Sequence, residues 1–138
     1  MLKTEVWNVL VVNRDEIMKP LTKVEEFLER FDNFKDSEFR SLEIKSPTSM
    51  SITLATQDKN RDFDWITITL DFIDVSDALL VDGNKLQHID LSDGVTILKN
   101  QDKFYFGIGV CSSVDSIKTS TLFIESSNLK YKEGSFNS

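Results

Sequence analysis

The chain has 138 residues, 40% hydrophobic and 28% charged, with only 5 Gly and 2 Pro. That is enough apolar material for a single domain spanning residues 1–138, folding without metal or disulfide support. The lone Cys111 excludes an internal disulfide framework and fits a reducing, cytoplasmic setting. A net charge of -7 argues against nucleic acid and against anionic membrane surfaces, and leaves a basic protein as the partner that the charge would attract.

The first apolar run, residues 9–12, is flanked by Asn8 and Asn13 and followed by Arg14, Asp15 and Glu16. It is too short and too polar for a secretory leader, and no run approaches the roughly 18 apolar residues of a membrane span. Residues 6–12 fit a helix or a strand, and a helix broken at Pro20 is the preferred reading. Over residues 20–34 the spacing of Leu21, Val24, Phe27, Leu28, Phe31 and Phe34 predicts an amphipathic helix with Pro20 in its first turn.

After Phe34 the period becomes two. Strands are expected at residues 37–45, 50–55, 65–72, 78–81, 86–91, 95–99, 104–110 and 121–131, with turns at 46–48, 82–84, 92–94 and 100–103. Gly107 and Gly109 share one side of their strand, which predicts that another element crosses there closely. Residues 111–121 are Ser-rich and read as a loop. The pattern gives an α+β fold: an N-terminal helical region on a strongly bent antiparallel sheet of about six to eight strands, a sandwich or half-barrel.

The charge is unevenly placed. Between Gln57 and Asp102 stand ten aspartates against Lys59, Arg61, Lys85 and Lys99, a local net charge of -6. Aspartate favours turns and strand ends, so the acids should collect at sheet rims and could face a cationic partner. The candidates for that face are Asp58, Asp62, Asp64, Asp71, Asp74, Asp77, Asp90 and Asp93, with Trp65 and Tyr105 as aromatic anchors. Trp65 and Tyr131 are candidate neighbours of Tyr105 in an exposed patch.

Catalytic and metal chemistry find little purchase. Residues 58–64 open like a calcium loop, but Phe63 and Thr69 occupy the positions where an EF-hand needs Gly and Glu, and Lys59 and Arg61 oppose a cation. The loop therefore reads as a solvated hairpin. His88 is the only histidine, no Ser sits in a nucleophile-elbow setting, and Cys111 has no basic neighbour in sequence to activate it. Neither catalytic residues, nor a cofactor, nor a metal are implied, and the chain reads as non-enzymatic.

The segment Phe34-Lys35-Asp36-Ser37, then Ile52-Thr53-Leu54, then Trp65 leading into Ile68-Thr69-Leu70-Asp71-Phe72 and Val75, resembles small bacterial immunity proteins of the immunity protein 50 type. The resemblance spans about residues 34–91. It implies a cytoplasmic protein that neutralises a cognate toxin by covering its active or substrate-binding surface. Two other readings stand beside it: a small-ligand binder or enzyme using the inside of the bent sheet, with Asp36, His88 or Tyr105 lining a pocket, and a structural subunit joined through a sheet edge. The chain would act as a monomer or a homodimer.

Overall fold

Sequence periodicity changes near Phe34, and the architecture changes with it. The computed structural model describes residues 17–136, so the apolar run at 6–12 lies outside the described residues. In chain order the elements are β1 (Lys19–Pro20), α1 (Val24–Arg30), β2 (Glu38–Ser46), β3 (Ser49–Asp58), β4 (Asp64–Leu79), β5 (Val95–Asn100), β6 (Lys103–Ile108), α2 (Val114–Lys118) and β7 (Phe123–Ser135). The strands form one seven-stranded antiparallel sheet in the order β2-β3-β4-β7-β6-β5, with β1 added to β7. This is the α+β arrangement of a bent, unclosed sheet that the alternation predicts. Two meanders, β2-β3-β4 and β5-β6-β7, join where β4 pairs with β7 from Ile66↔Ser135 to Leu79↔Phe123.

Alternation decides what lies inside the bend. Met50, Ile52 and Leu54 of β3, then Ile66, Ile68, Leu70 and Phe72 of β4, are all buried with Phe104 and Phe106 of β6. Phe27, Phe31 and Phe34 fill the remaining space, with ring centroids 5.2 Å apart for Phe27–Phe31 and for Phe31–Phe34. Phe72 meets Phe106 edge-on at 5.4 Å. The inside of the sheet is thus a packed core, the arrangement that maximises dispersion contacts.

The helix is shorter than the spacing predicts. Pro20 is not in its first turn: it lies in β1 opposite Lys130, and the helix runs only from Val24 to Arg30. Asp32, Asn33 and Phe34 then take φ of 53°, 56° and 60°, a left-handed turn that costs roughly 1–2 kcal/mol per residue. Complete burial of Phe34 offsets that cost, because the turn swings its ring back into the core. Gly94 is required beside it, since a Cβ there would stand 2.1 Å from the Asn33 carbonyl oxygen.

β4 carries the strand expected at 65–72 on to Leu79, the start of the one expected at 78–81, and Leu80 and Val81 lie beyond it. The register with β7 shifts between Val75 and Asp77, a bulge at Ser76; just before it Asp74 takes φ 59° and the Val75 N–H donates to the Thr48 carbonyl at 2.9 Å. The strand expected at 86–91 is instead a 3-10 turn, Gly83–His88, within the connection from the centre of the sheet to β5 at its far edge. That connection is tied to the chain after α1 by the Asp36 N–H donating to the Leu91 carbonyl at 2.8 Å. The Ser-rich stretch holds α2, started by a reciprocal Ser113–Ser116 capping box. Fully buried Ile117 of α2 crosses Gly107, where a Cβ would lie 3.1 Å from it, so the expected close crossing occurs there. Gly109 has open space around it and serves a φ of +88° instead.

Candidate functional site

The β3–β4 hairpin gathers the densest set of sequence candidates at one end of the sheet. Asp58 closes β3 and its carboxylate accepts from the Asn60 N–H at 2.9 Å, capping a 3-10 turn over Lys59–Arg61. Asp62 and Phe63 then take left-handed φ values of 56° and 67°. The Phe63 N–H donates to the Asp58 carbonyl at 2.8 Å, and Gln57 Nε2 donates to the Phe63 carbonyl at 3.2 Å. A bulky residue in the left-handed region carries a conformational cost. Here the Phe63 side chain faces water, 57% exposed, between exposed Asp62 and Asp64. Trp65 follows, 38% exposed, leaning on Phe136 with ring centroids 5.6 Å apart. Arg40 packs over the other ring of that pair, its guanidinium 4.6 Å from the Phe136 centroid.

Beneath this tip lies a cluster of charges. Arg30, at the end of α1, grips Asp58 with two hydrogen bonds, Nε to Oδ1 at 2.8 Å and Nη2 to Oδ2 at 2.6 Å. The same guanidinium donates to Glu133 of β7 at 3.1 Å, and Arg61 reaches Glu133 at 2.7 Å and Asp58 at 3.3 Å. Lys19 of β1 adds a contact to Glu133 at 3.4 Å. Asp58 is fully buried and Glu133 nearly so. Burial alone would raise the Glu133 carboxyl, but the hydrogen bonds and charge of Arg30, then Arg61 and Lys19, overturn that and hold it at about 2. For Asp58 burial again pushes upward, and Arg30 with the Asn60 N–H brings the result below the usual aspartate value. The Asp58 hydrogen bond raises Arg30, against the opposing effect of burial. The cluster therefore stays ionised and clamps α1, β1, the hairpin and β7 together.

The other candidates lie elsewhere. Asp71 is half-buried and paired with Lys45 at 3.3 Å; Asp74 is exposed just before the bulge; Asp77 is exposed 4.0 Å from Lys118. Asp64 and Asp77 lie toward opposite ends of β4, thirteen positions apart, a length along the strand on the order of 40 Å. Asp90 and Asp93 are exposed in the β4–β5 connection, where the Asp90 carboxylate accepts from the Ser92 N–H at 2.9 Å. Tyr105 is half-buried on the outer face opposite Glu125. Tyr131 packs on Phe27 at 4.8 Å and Trp65 on Phe136, so the structure does not join the three rings in one patch. Asp58, expected at the partner-facing surface, is instead consumed by Arg30 because an unpaired carboxylate in that buried position would be too costly. Among the described residues no group of three His, Cys, Asp or Glu side chains is placed to hold a metal ion, and no helix is long and apolar enough to cross a membrane.

Sequence reasoning passed over Glu133 and Phe63. Leu129, Tyr131 and Glu133 alternate along β7, so extending that strand by two residues would have put an acid on the inward side and demanded a basic partner. No family model, curated protein or solved structure matches the chain.

Proposed function

We propose that the chain is a non-enzymatic binding module that docks a basic protein through its β3–β4 tip, with Phe63 and Trp65 as anchors and Asp62 and Asp64 as the flanking charges. The observation that carries this reading is Phe63, more than half exposed on a left-handed backbone position and set between two free-standing carboxylates. Interfaces place aromatic anchors at their centre and charges at the rim, and a rim of one sign accelerates the approach of the opposite sign. The ionic clamp below the tip supports the proposal physically, because a loop already held in shape loses less entropy on binding. The resemblance to bacterial immunity proteins makes a toxin domain the class of partner, and neutralisation by covering its surface the role.

The test is affinity capture from the native cell with elution in rising salt, using three baits: the natural chain, the double variant Asp62→Lys with Asp64→Lys, and Phe63→Ser. A basic protein retained by the first, released at lower salt by the second and lost by the third supports the reading. Equal retention by all three overturns it. Reversal of Asp90 and Asp93, which lie away from the tip, is expected to leave retention unchanged.

A further inference from the structure

Among the described residues four basic residues are half-buried: Arg30, Arg61, Lys103 and Lys132. Three of them meet carboxylates, Arg30 and Arg61 at Glu133 and Lys103 at Glu125. Lys132 makes no ion pair or hydrogen bond to a described side chain. Taking a charge partly out of water without a partner is unfavourable. A lysine left alone in this way, in a chain of net charge -7, is suited to an anion supplied from outside.

Strand register shows what surrounds it. Ser41 of β2 lies opposite Thr53 of β3, Thr53 opposite Thr69 of β4, and Thr69 opposite Lys132 of β7, a polar row across four strands on the face turned away from the core. The row lines a trough of about 310 Å³. Gly134 keeps this trough open, since a Cβ there would stand 2.7 Å from Thr67 Oγ1. Arg40 lines the β2 end: its Nε is taken by Glu38 and its Nη1 by the Phe136 carbonyl, while its Nη2 has no partner among the described residues. The Thr53 and Thr69 hydroxyls bond to each other at 3.0 Å, and whichever donates, the other keeps its proton. Glu133 offers only main chain here, because it stands opposite inward Ile68 and its carboxylate is held on the core side by Arg30 and Arg61.

We infer that this outer trough is a binding site for a tetrahedral oxyanion, the phosphate or sulfate group of a small ligand. Its unspent groups are the ammonium of Lys132, the Arg40 Nη2 and hydroxyl protons, all of them donors. Of the carboxylates on this face beside the trough, Glu38 is engaged by Arg40 and Asp71 by Lys45, and Glu43 is exposed on the edge strand. The two cations come from strands about 14 Å apart, three strand spacings, with the hydroxyls between them. Donors on opposite sides and on the floor suit oxygens spread in three dimensions better than the two coplanar oxygens of a carboxylate. The trough is at the small end of ligand sites, and the net charge of -7 disfavours nucleic acid as the source of the phosphate. The site does not depend on the tip binding a protein.

The experiment is amide nuclear magnetic resonance on the full chain, titrated with inorganic phosphate, inorganic sulfate, glycerol phosphate and acetate, with ionic strength held constant by sodium chloride. The expected result is saturable shifts centred on Ser41, Thr69 and Lys132, with half-saturation at about 1–10 mM for inorganic phosphate or sulfate and about tenfold weaker binding of acetate. Lys132→Gln should weaken phosphate binding about tenfold or more, the size of a lost charge-assisted hydrogen bond. Lys130→Gln removes the same charge one row away, opposite Asp71, and should change binding by less than about twofold. The pair Thr53→Val with Thr69→Val keeps the side-chain shape and should weaken binding about fivefold. Tighter binding of glycerol phosphate than of inorganic phosphate assigns the site to an ester, and the reverse assigns it to the free ion. The inference is overturned if neither ion nor ester gives saturable shifts at the trough, if acetate binds as well as phosphate, or if Lys130→Gln weakens binding as much as Lys132→Gln.

Discussion

Two ionic clusters sit on this sheet, and they differ in what they hold. In the inner one Arg30 spans fully buried Asp58 and nearly buried Glu133, with Arg61 and Lys19 completing it. In the outer one Glu125 accepts a hydrogen bond from Ser76 and meets Lys103 at 3.2 Å and Lys118 at 3.5 Å. Glu133 and Glu125 both belong to β7, but the lysines of the outer cluster are about 40% exposed while the Arg30 side chain is 19% exposed. An arginine fork satisfies two buried carboxylates at fixed angles, whereas a lysine reaches one from water on a flexible stem. Glu125 is as buried as Glu133, so the difference lies in the cations: the inner cluster should behave as part of the fold, and the outer one should lose less when a single lysine is removed.

The largest expected effect follows from removing the fork. Arg30→Ala strands Asp58 and Glu133 in a buried site, and should cost about 3–5 kcal/mol of unfolding free energy in urea titration. A loss below about 1 kcal/mol would place this cluster with the outer one. Next comes acid. Glu133 falls from an ordinary 4.5 to about 2 on folding, so its contribution is complete above pH 4.5 and disappears as pH drops toward 2. The expected loss over that window is on the order of 3 kcal/mol, and Glu133→Gln should flatten the acid side of the stability profile. Asp58 is shifted in the same direction and steepens the same fall.

Smaller effects belong to the outer cluster. Glu125 is also lowered, chiefly by the Ser76 hydroxyl, so Glu125→Gln should cost about 1 kcal/mol and shift the acid limb only slightly. Lys118→Ala should stay within about 1 kcal/mol by thermal denaturation, because Lys118 is itself partly in water and Lys103 and Ser76 still satisfy Glu125. Combining Lys118→Ala with Glu133→Gln should give additive losses, and a departure beyond about 0.5 kcal/mol would mean that the two clusters communicate through β7.

Much of this fold was legible in the alternation of side chains. The sequence from Met50 to Phe72 announces two paired strands because every second residue is apolar, and the structure buries those very residues. What periodicity could not convey was compensation at a distance. Nothing near Phe34 warns of three left-handed residues, since the glycine that makes room for them, Gly94, is sixty positions away. The 3-10 turn at Gly83–His88 replaces the expected strand although it lies close to the edge strand β2, with which it does not pair. In the candidate site, Asp62, Asp64 and Trp65 were found by charge and aromatic content. Asp58 looks the same in sequence, and only the arrival of Arg30 from α1 separates it from them.

The position of β7 carries a consequence for how the protein is made. It is the latest strand to be synthesised among those described, yet it lies in the middle of the sheet between β4 and β6. Until residues 123–135 leave the ribosome, the β2-β3-β4 meander and the β5-β6 hairpin have no common partner, and β4 and β6 each present an unpaired edge with a bare apolar face. Nascent chains are therefore exposed to wrong pairing for most of their synthesis, and truncation within β7 should yield aggregation rather than a smaller folded product.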